Sequence, residues 1–245
     1  NQHKDYPLII AANRDEFFNR GTSESHIWDP EHGIIAGKDL QAGGTWMGIN
    51  KYGYVASLTN VRDPQKIRAD AVTRGELVSH YLQQPEDRYH QTLSTHKDNY
   101  NGYNLLFGKW DNLSVYNNHL DQLQPLTDGY YGLSNANLNS PWPKINKGVS
   151  KLQEYCQDGH EINPEILFTL LRDKSLAADE DLPETGIPID WERRLSSIFI
   201  LGDEYGTRSS TVLKVDKQQN VQWYERTYDN TARCTSSQSF HFGID

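Results

Sequence analysis

The order of apolar patterns along the chain is the strongest constraint on its fold. Short strand-like runs come first, then helical stripes, then strands, helices again, and a last group of strands. A parallel sheet needs strands and helices to alternate one by one, so this order excludes a doubly wound architecture. It predicts an α+β fold, with antiparallel sheets and helices segregated outside them. The first apolar run covers 7–13 and a second 34–37. A hairpin follows, with 45–50 and 54–60 flanking the turn Lys51-Tyr52-Gly53. The pair Gly43-Gly44 before it marks a bend or a close approach of backbone. Thr73, with Glu76 three residues on, reads as a capping box opening a helix whose stripe is Leu77, Val78, Tyr81 and Leu82. A more polar helix is expected over 86–97. Strands resume at 103–108 and 113–116, around the turn Asp111-Asn112, and again at 130–134. Two more helices are expected, over 144–155 and after the cap Asn163-Pro164, the latter with Ile166, Leu167, Leu170 and Leu171 as its stripe. Beyond an acidic loop over 178–190, the strands 195–201, 208–215 and 221–228 complete the pattern, with Gln218-Gln219-Asn220 turning the last pair. No repeat or interdomain linker is visible, and residues 1–245 read as one domain.

Composition narrows the functional classes. The 24 Lys and Arg against 33 Asp and Glu leave a net charge of −9, whereas nucleic-acid binding needs clustered cations to meet phosphates. No run approaches the ~18 apolar residues of a membrane-spanning helix, and mean hydropathy is −0.77. Cys156 and Cys234 form no CxxC; a single bridge is compatible with them, but two reduced thiols in a cytoplasmic protein is the favoured reading. The nine histidines are scattered, and His90 and His96 are too far apart to share a helix face, so no metal site is expected. There is no GxSxG elbow, phosphate-binding loop or HExxH. The sequence opens at Asn1 and its one methionine is Met47. The expectation is that a segment precedes Asn1 and that it supplies a hairpin partner for the strand at 7–13.

Four polar clusters sit at expected strand ends, where sites are commonly built: Asn13-Arg14-Asp15-Glu16, Thr59-Asn60, Gly132-Leu133-Ser134-Asn135-Ala136, and Tyr205-Gly206-Thr207-Arg208-Ser209-Ser210-Thr211. On pattern alone, the first is as readily an ordinary charged turn as a site, and for the other three a turn-forming role is favoured over catalysis.

Ala12-Asn13-Arg14-Asp15-Glu16 resembles the signature of the NRDE family, also called the Transport and Golgi organisation 2 family. The resemblance continues in order through Asp39-Leu40 with Gly43-Gly44-Thr45-Trp46-Met47-Gly48, through Ala56 to Arg62, and through Arg74-Gly75-Glu76-Leu77. It then runs through Tyr100 to Leu106, Gly132 to Asn135 with Pro141-Trp142-Pro143-Lys144, and Tyr205 to Thr211. It spans positions 7 to about 228. The family is in turn similar to N-terminal-nucleophile hydrolases of the penicillin V acylase and bile salt hydrolase branch. That likeness implies an αββα four-layer sandwich of two mainly antiparallel sheets.

The resemblance also implies chemistry. In those hydrolases a cysteine exposed by removal of the initiator methionine attacks an amide carbonyl, with its own α-amino group as base; such a group titrates near ~7.7–8.0. In this sequence that cysteine would stand upstream of Asn1, so the domain is read as lacking its nucleophile segment. Asp15 matches the residue that holds the nucleophile's amino group, and Asn13 lies two before it as in the hydrolases. The hydrolases' Arg position is Ala12 here, and Arg14 sits between Asn13 and Asp15 instead. Asn60 falls where a backbone N–H enters the oxyanion hole and Asn135 where a side-chain amide completes it. The distal arginine is Arg194 or Arg208, with Arg208 favoured. The implied substrate is a small, neutral N-acyl amide, with no cofactor. The same family resemblance also implies a second reading, a non-catalytic carrier of haem or of acyl-CoA and other lipids, its cleft lined by Phe17, Phe18, Trp28 and Trp46. Covalent haem is excluded because there is no CxxCH.

Overall fold

The structure, a computed structural model, describes residues 2–157 and 159–245. Its strands are β1 (Leu8–Phe17), β2 (Thr22–Ile27), β3 (Ile35–Asp39), β4 (Met47–Ile49), β5 (Tyr54–Asn60), β6 (Tyr103–Lys109), β7 (Asn112–Asn117), β8 (Gln122–Pro125), β9 (Tyr205–Val215), β10 (Asn220–Tyr228) and β11 (Cys234–Gly243). Its α-helices are α1 (Gly75–Gln83), α2 (Tyr89–His96), α3 (Pro143–Gln157), α4 (Pro164–Leu171) and α5 (Ile189–Arg194). None is long and apolar enough to cross a membrane among the described residues. The chain is thus α+β, with two antiparallel sheets, each in a compact unit of its own.

The first unit takes the chain up to Arg20, Asp128–Gly132 and Asn139–Gly243. Its four strands run β1-β9-β10-β11, every pair antiparallel. Helix α4 packs on β1 and β9, and α3 packs on α4. Ile9, Ala11 and Val212 face the helices and join Leu167, Phe168, Leu171 and Cys156 in one apolar cluster. The N-terminus of α4 forms as its sequence predicts. Pro164 is at the first turn and the Asn163 side chain accepts from Glu165 N–H at 2.9 Å. The buried stripe is Leu167, Phe168 and Leu171, while Ile166, expected in it, is 46% exposed. The run 195–201 is not a strand, despite its apolar residues. Its backbone is held from outside any ladder, Phe199 N–H by Asp173 O at 2.8 Å and Ile200 N–H by Thr207 Oγ1 at 2.9 Å. The segment 130–134 is likewise irregular. β11 was not expected, because apart from Phe240 and Phe242 near its end its residues are mostly Ser, Thr and Gln and carry little apolar alternation. Among the described residues β1 has a ladder with β9 alone. Asn1, where the upstream segment was expected to attach, lies outside the described residues.

The second unit comprises Gly21–Thr127, Leu133–Leu138 and Ile244–Asp245, with strand order β2 through β8. Helices α1 and α2 cover one face, where Leu77, Val78, Tyr81, Leu82, Tyr89 and Leu93 pack on Leu105, Phe107 and Tyr116. The expected hairpin is present as β4 and β5. Gly53 turns it at φ +80°, and the buried Asn50 amide ties the turn to Leu82 O at 2.9 Å. The expected capping box is not formed. No side chain caps α1, and Glu76 instead accepts from Tyr100 O–H at 2.7 Å. The close approach predicted at Gly43-Gly44 is real: a Cβ on Gly44 would meet Gly75 O at 2.6 Å and Glu76 N at 2.8 Å. Backbone cannot yield as a flexible side chain would, so Gly44→Ala is expected to cost about 1–3 kcal/mol. A urea midpoint unchanged by that substitution would contradict this packing of α1 on the strand approach.

Candidate functional site

In the first unit the cluster Asn13–Glu16 lies inside β1, not in a turn after it as the sequence pattern suggests. Asn13 shares the helix-facing side with Ile9 and Ala11. Its amide donates to Leu171 O and Ile198 O, both at 2.8 Å, and its oxygen accepts from Ser210 O–H at 2.6 Å. Both N–H bonds are therefore spent fastening β1 to the end of α4 and to the run before β9. Asp15 stands across the ladder from Thr207, whose hydroxyl donates to it at 2.6 Å. The residue keeps some exposed surface, but desolvation of its carboxyl raises the pKa. Lys144, Thr207 and Arg14 pull it back down.

Arg208 occupies a bulge. Arg14 pairs with Ser209 and Asp15 with Thr207, so β9 carries one residue more than β1 there. The Arg208 guanidinium donates to Phe17 O at 2.8 Å and Arg20 O at 3.0 Å and lies over the Phe18 ring. Burial lowers its pKa against the opposing pull of Glu16. Arg194, the alternative distal arginine, donates to Leu201 O and Tyr205 O and covers Trp191. Both arginines are anchored to backbone carbonyls. Arg14 is 8% exposed in its side chain and lies 3.8 Å from Glu16. Phe17 is 46% exposed and meets Tyr205 edge to face.

Asn60 and Asn135 come together in the second unit. Val61 N–H donates to Gly102 O at 2.9 Å, which makes that pair the hydrogen-bonded one and turns the N–H and C=O of Asn60 away from β6. On that side β4 has already ended. Leu58 N–H still reaches Trp46 O, but Gly44 O accepts from Asp39 and Thr45 N–H donates to Gly75. The C=O of Asn60 accepts from the Asn135 amide at 3.0 Å, and Asn135 O accepts from Arg62 N–H at 2.7 Å. One Asn135 amide hydrogen thus holds Asn60, and the other is directed elsewhere. The Asn60 backbone N–H and the Asn135 side-chain amide thus lie on the same edge of β5, and both are of the donor types that oxyanion holes use. Trp28, also in this unit, donates to Ala36 O at 2.9 Å and carries Lys38 over its ring; Trp46 is half-buried.

Asp29, Glu31 and His32 present ligand atoms within 4.8 Å of one another. The contacts there are internal ones, His32 Nδ1 to Asp29 at 2.6 Å. Cys156 is buried and its thiol pKa is pushed up by that burial, the wrong direction for a nucleophile. Cys234 is exposed at the start of β11.

Sequence reasoning gave no role to three residues that the structure ties to these groups. Thr207 bonds Asp15, Lys144 is the cation acting most strongly on the Asp15 carboxyl, and Asn104 bonds the loop that carries Asn135. All three stand inside the motifs that carry the family resemblance; Thr207 also lies in one of the four polar clusters, whereas Lys144 and Asn104 had no other signal.

Two antiparallel sheets, each with helices on one face, place the chain in the α+β class, and its polar strand-end residues mark where a site can form. Residues 1–230 match the Transport and Golgi organisation 2 family. The chain is 34% identical to the mouse Transport and Golgi organization 2 homolog, over 91% of this chain and 87% of that one. It is 33% identical to the human homolog over the same shares, and 29% identical to the Drosophila melanogaster protein over 91% and 86%. The chain belongs to the Transport and Golgi organisation 2 family.

Proposed function

We propose that this chain is the scaffold of a cysteine N-terminal-nucleophile amidohydrolase or acyltransferase acting on the carbon–nitrogen bond of a small, neutral N-acyl amide. The observation that carries the reading is the Asn60–Asn135 pair, with its outward backbone N–H and adjacent amide donor. From the resemblance the reading takes the αββα layering, the single domain and a nucleophilic cysteine N-terminal to Asn1. It also takes the role of Asp15, to hold the α-amino group of that cysteine. The thiolate adds to the carbonyl carbon, and the oxyanion is stabilised by Asn60 N–H and Asn135 Nδ2. Collapse expels the amine, which takes its proton from the α-ammonium, and water or a second amine releases the acyl group.

The experiment compares the full-length protein with a variant whose N-terminal cysteine is alanine, assayed on acyl para-nitroanilides. Turnover is expected in the first alone. Equal rates in both, with haem or acyl-CoA bound tightly by both, would replace this reading with that of a carrier.

A further inference from the structure

Thr59, Asn104 and Asn117 form one row across β5, β6 and β7, paired residue to residue. The row lies on the face of the sheet away from α1 and α2, since the alternate residues Leu58, Tyr103, Leu105 and Tyr116 pack against those helices. The next row on that face holds Leu106 and Val115, so the sheet itself has no need of amides there. Asn104 is fully buried, and a buried amide is tolerated only with its donors and acceptor engaged. Its Nδ2 donates to Ala136 O at 2.8 Å and Thr59 Oγ1 at 3.1 Å, and lies 3.5 Å from Ser134 O. Its oxygen accepts from Asn117 Nδ2 at 2.7 Å. Asn117 reaches on to Asn137 Oδ1 at 3.2 Å. Ser134 and Ala136 flank Asn135, and Thr59 precedes Asn60. One buried amide therefore grips the neighbours of both members of the proposed oxyanion pair.

We propose that Asn104, braced by Asn117, is a positioning residue that fixes the Asn135 loop against the end of β5. Its consequence for turnover rests on the amidohydrolase reading; its consequence for the loop does not. Residues 133–138 have no regular secondary structure. Without the Asn104 donors, the carbonyls of Ser134 and Ala136 lose their tie to the sheet, and Asn135 swings with them.

The full-length protein, Asn104→Asp and Asn137→Ala are compared. Asp keeps the size of Asn104 but removes both donors. Asn137 is exposed, so its loss spares the core. Amide exchange is read at Arg62, whose acceptor is Asn135 O, and at Val61, whose acceptor is Gly102 O. Arg62 exchange is expected to accelerate about tenfold or more in Asn104→Asp, the size of a lost buried hydrogen bond, and less in Asn137→Ala, with Val61 unchanged. Unchanged Arg62 exchange in both variants overturns the proposal. So does equal acceleration of Arg62 and Val61 in both, which is general loosening. On acyl para-nitroanilides, Asn104→Asp should lower kcat at constant KM and add nothing to the loss in Asn135→Ala. Additive losses would mean that Asn104 does not act through Asn135. Absence of turnover in the unsubstituted protein counts against the amidohydrolase reading, and the exchange rates then decide the positioning role alone.

Discussion

Asn135→Ala in the full-length protein is expected to lower turnover about 10²–10³-fold, the usual loss on removing one oxyanion donor. Stability should change by about 1 kcal/mol, because the half-buried amide makes two bonds in partly exposed surroundings, donating to Asn60 O and accepting from the neighbouring Ser134 O–H. The two numbers separate the roles. A large kinetic loss with an unchanged unfolding midpoint marks a group that acts on the reacting carbonyl. A lowered midpoint with full activity in the folded fraction would reduce Asn135 to a loop fastener.

Asn13→Ala is expected to behave in the opposite way. Two carbonyls and one hydroxyl lose their partner together, at the point where β1, the end of α4 and the run before β9 meet. An orphaned buried polar group costs about 1–3 kcal/mol, and a loss of about 3 kcal/mol in all is expected from chemical denaturation. The resemblance to hydrolases counts Asn13 among the site residues, but the geometry gives its amide no hydrogen to spare for a substrate. Full stability together with lost activity would instead support the catalytic role that the resemblance implies.

How much could be read from the sequence differs from element to element. The α4 cap was legible because Asn163 and Pro164 act locally, through a bond to Glu165 two residues away. The β4–β5 hairpin was legible for the same reason, since Gly53 and Asn50 build the turn themselves. The box at Thr73 and Glu76 had the right spacing, yet Glu76 is drawn to Tyr100, a partner 24 residues on that no window reveals. The apolar residues of 195–201 suggested a strand because burial, not pairing, selected them; Phe199 is buried against Tyr228 and under Arg172. The strand β8 buries too little to leave an alternation, and in β11 the half-buried positions do alternate but begin with the polar Ser236 and Gln238. For the site, residue types and order were visible through the family motifs, including Asn60 and Asn135. What no motif contained was consumption: whether an amide such as that of Asn13 is already spent on backbone carbonyls.

β11 gives the first unit a quality that its packing alone would not. The family match stops at residue 230, before this strand begins. Inside it, β10 carries Val221, Trp223 and Tyr224, a stretch that would invite another chain to dock if its edge were bare. β11 closes that edge along nine paired positions and exposes Thr235, Ser237, Ser239 and His241, while Ser236, Gln238, Phe240 and Phe242 are half-buried. It works as a selvedge, moving the free edge of the sheet from the apolar β10 to a strand of mostly polar residues. A version of the protein trimmed back to the matched residues would therefore face a colloidal problem before an enzymatic one, and shortened chains need to be watched for self-association first.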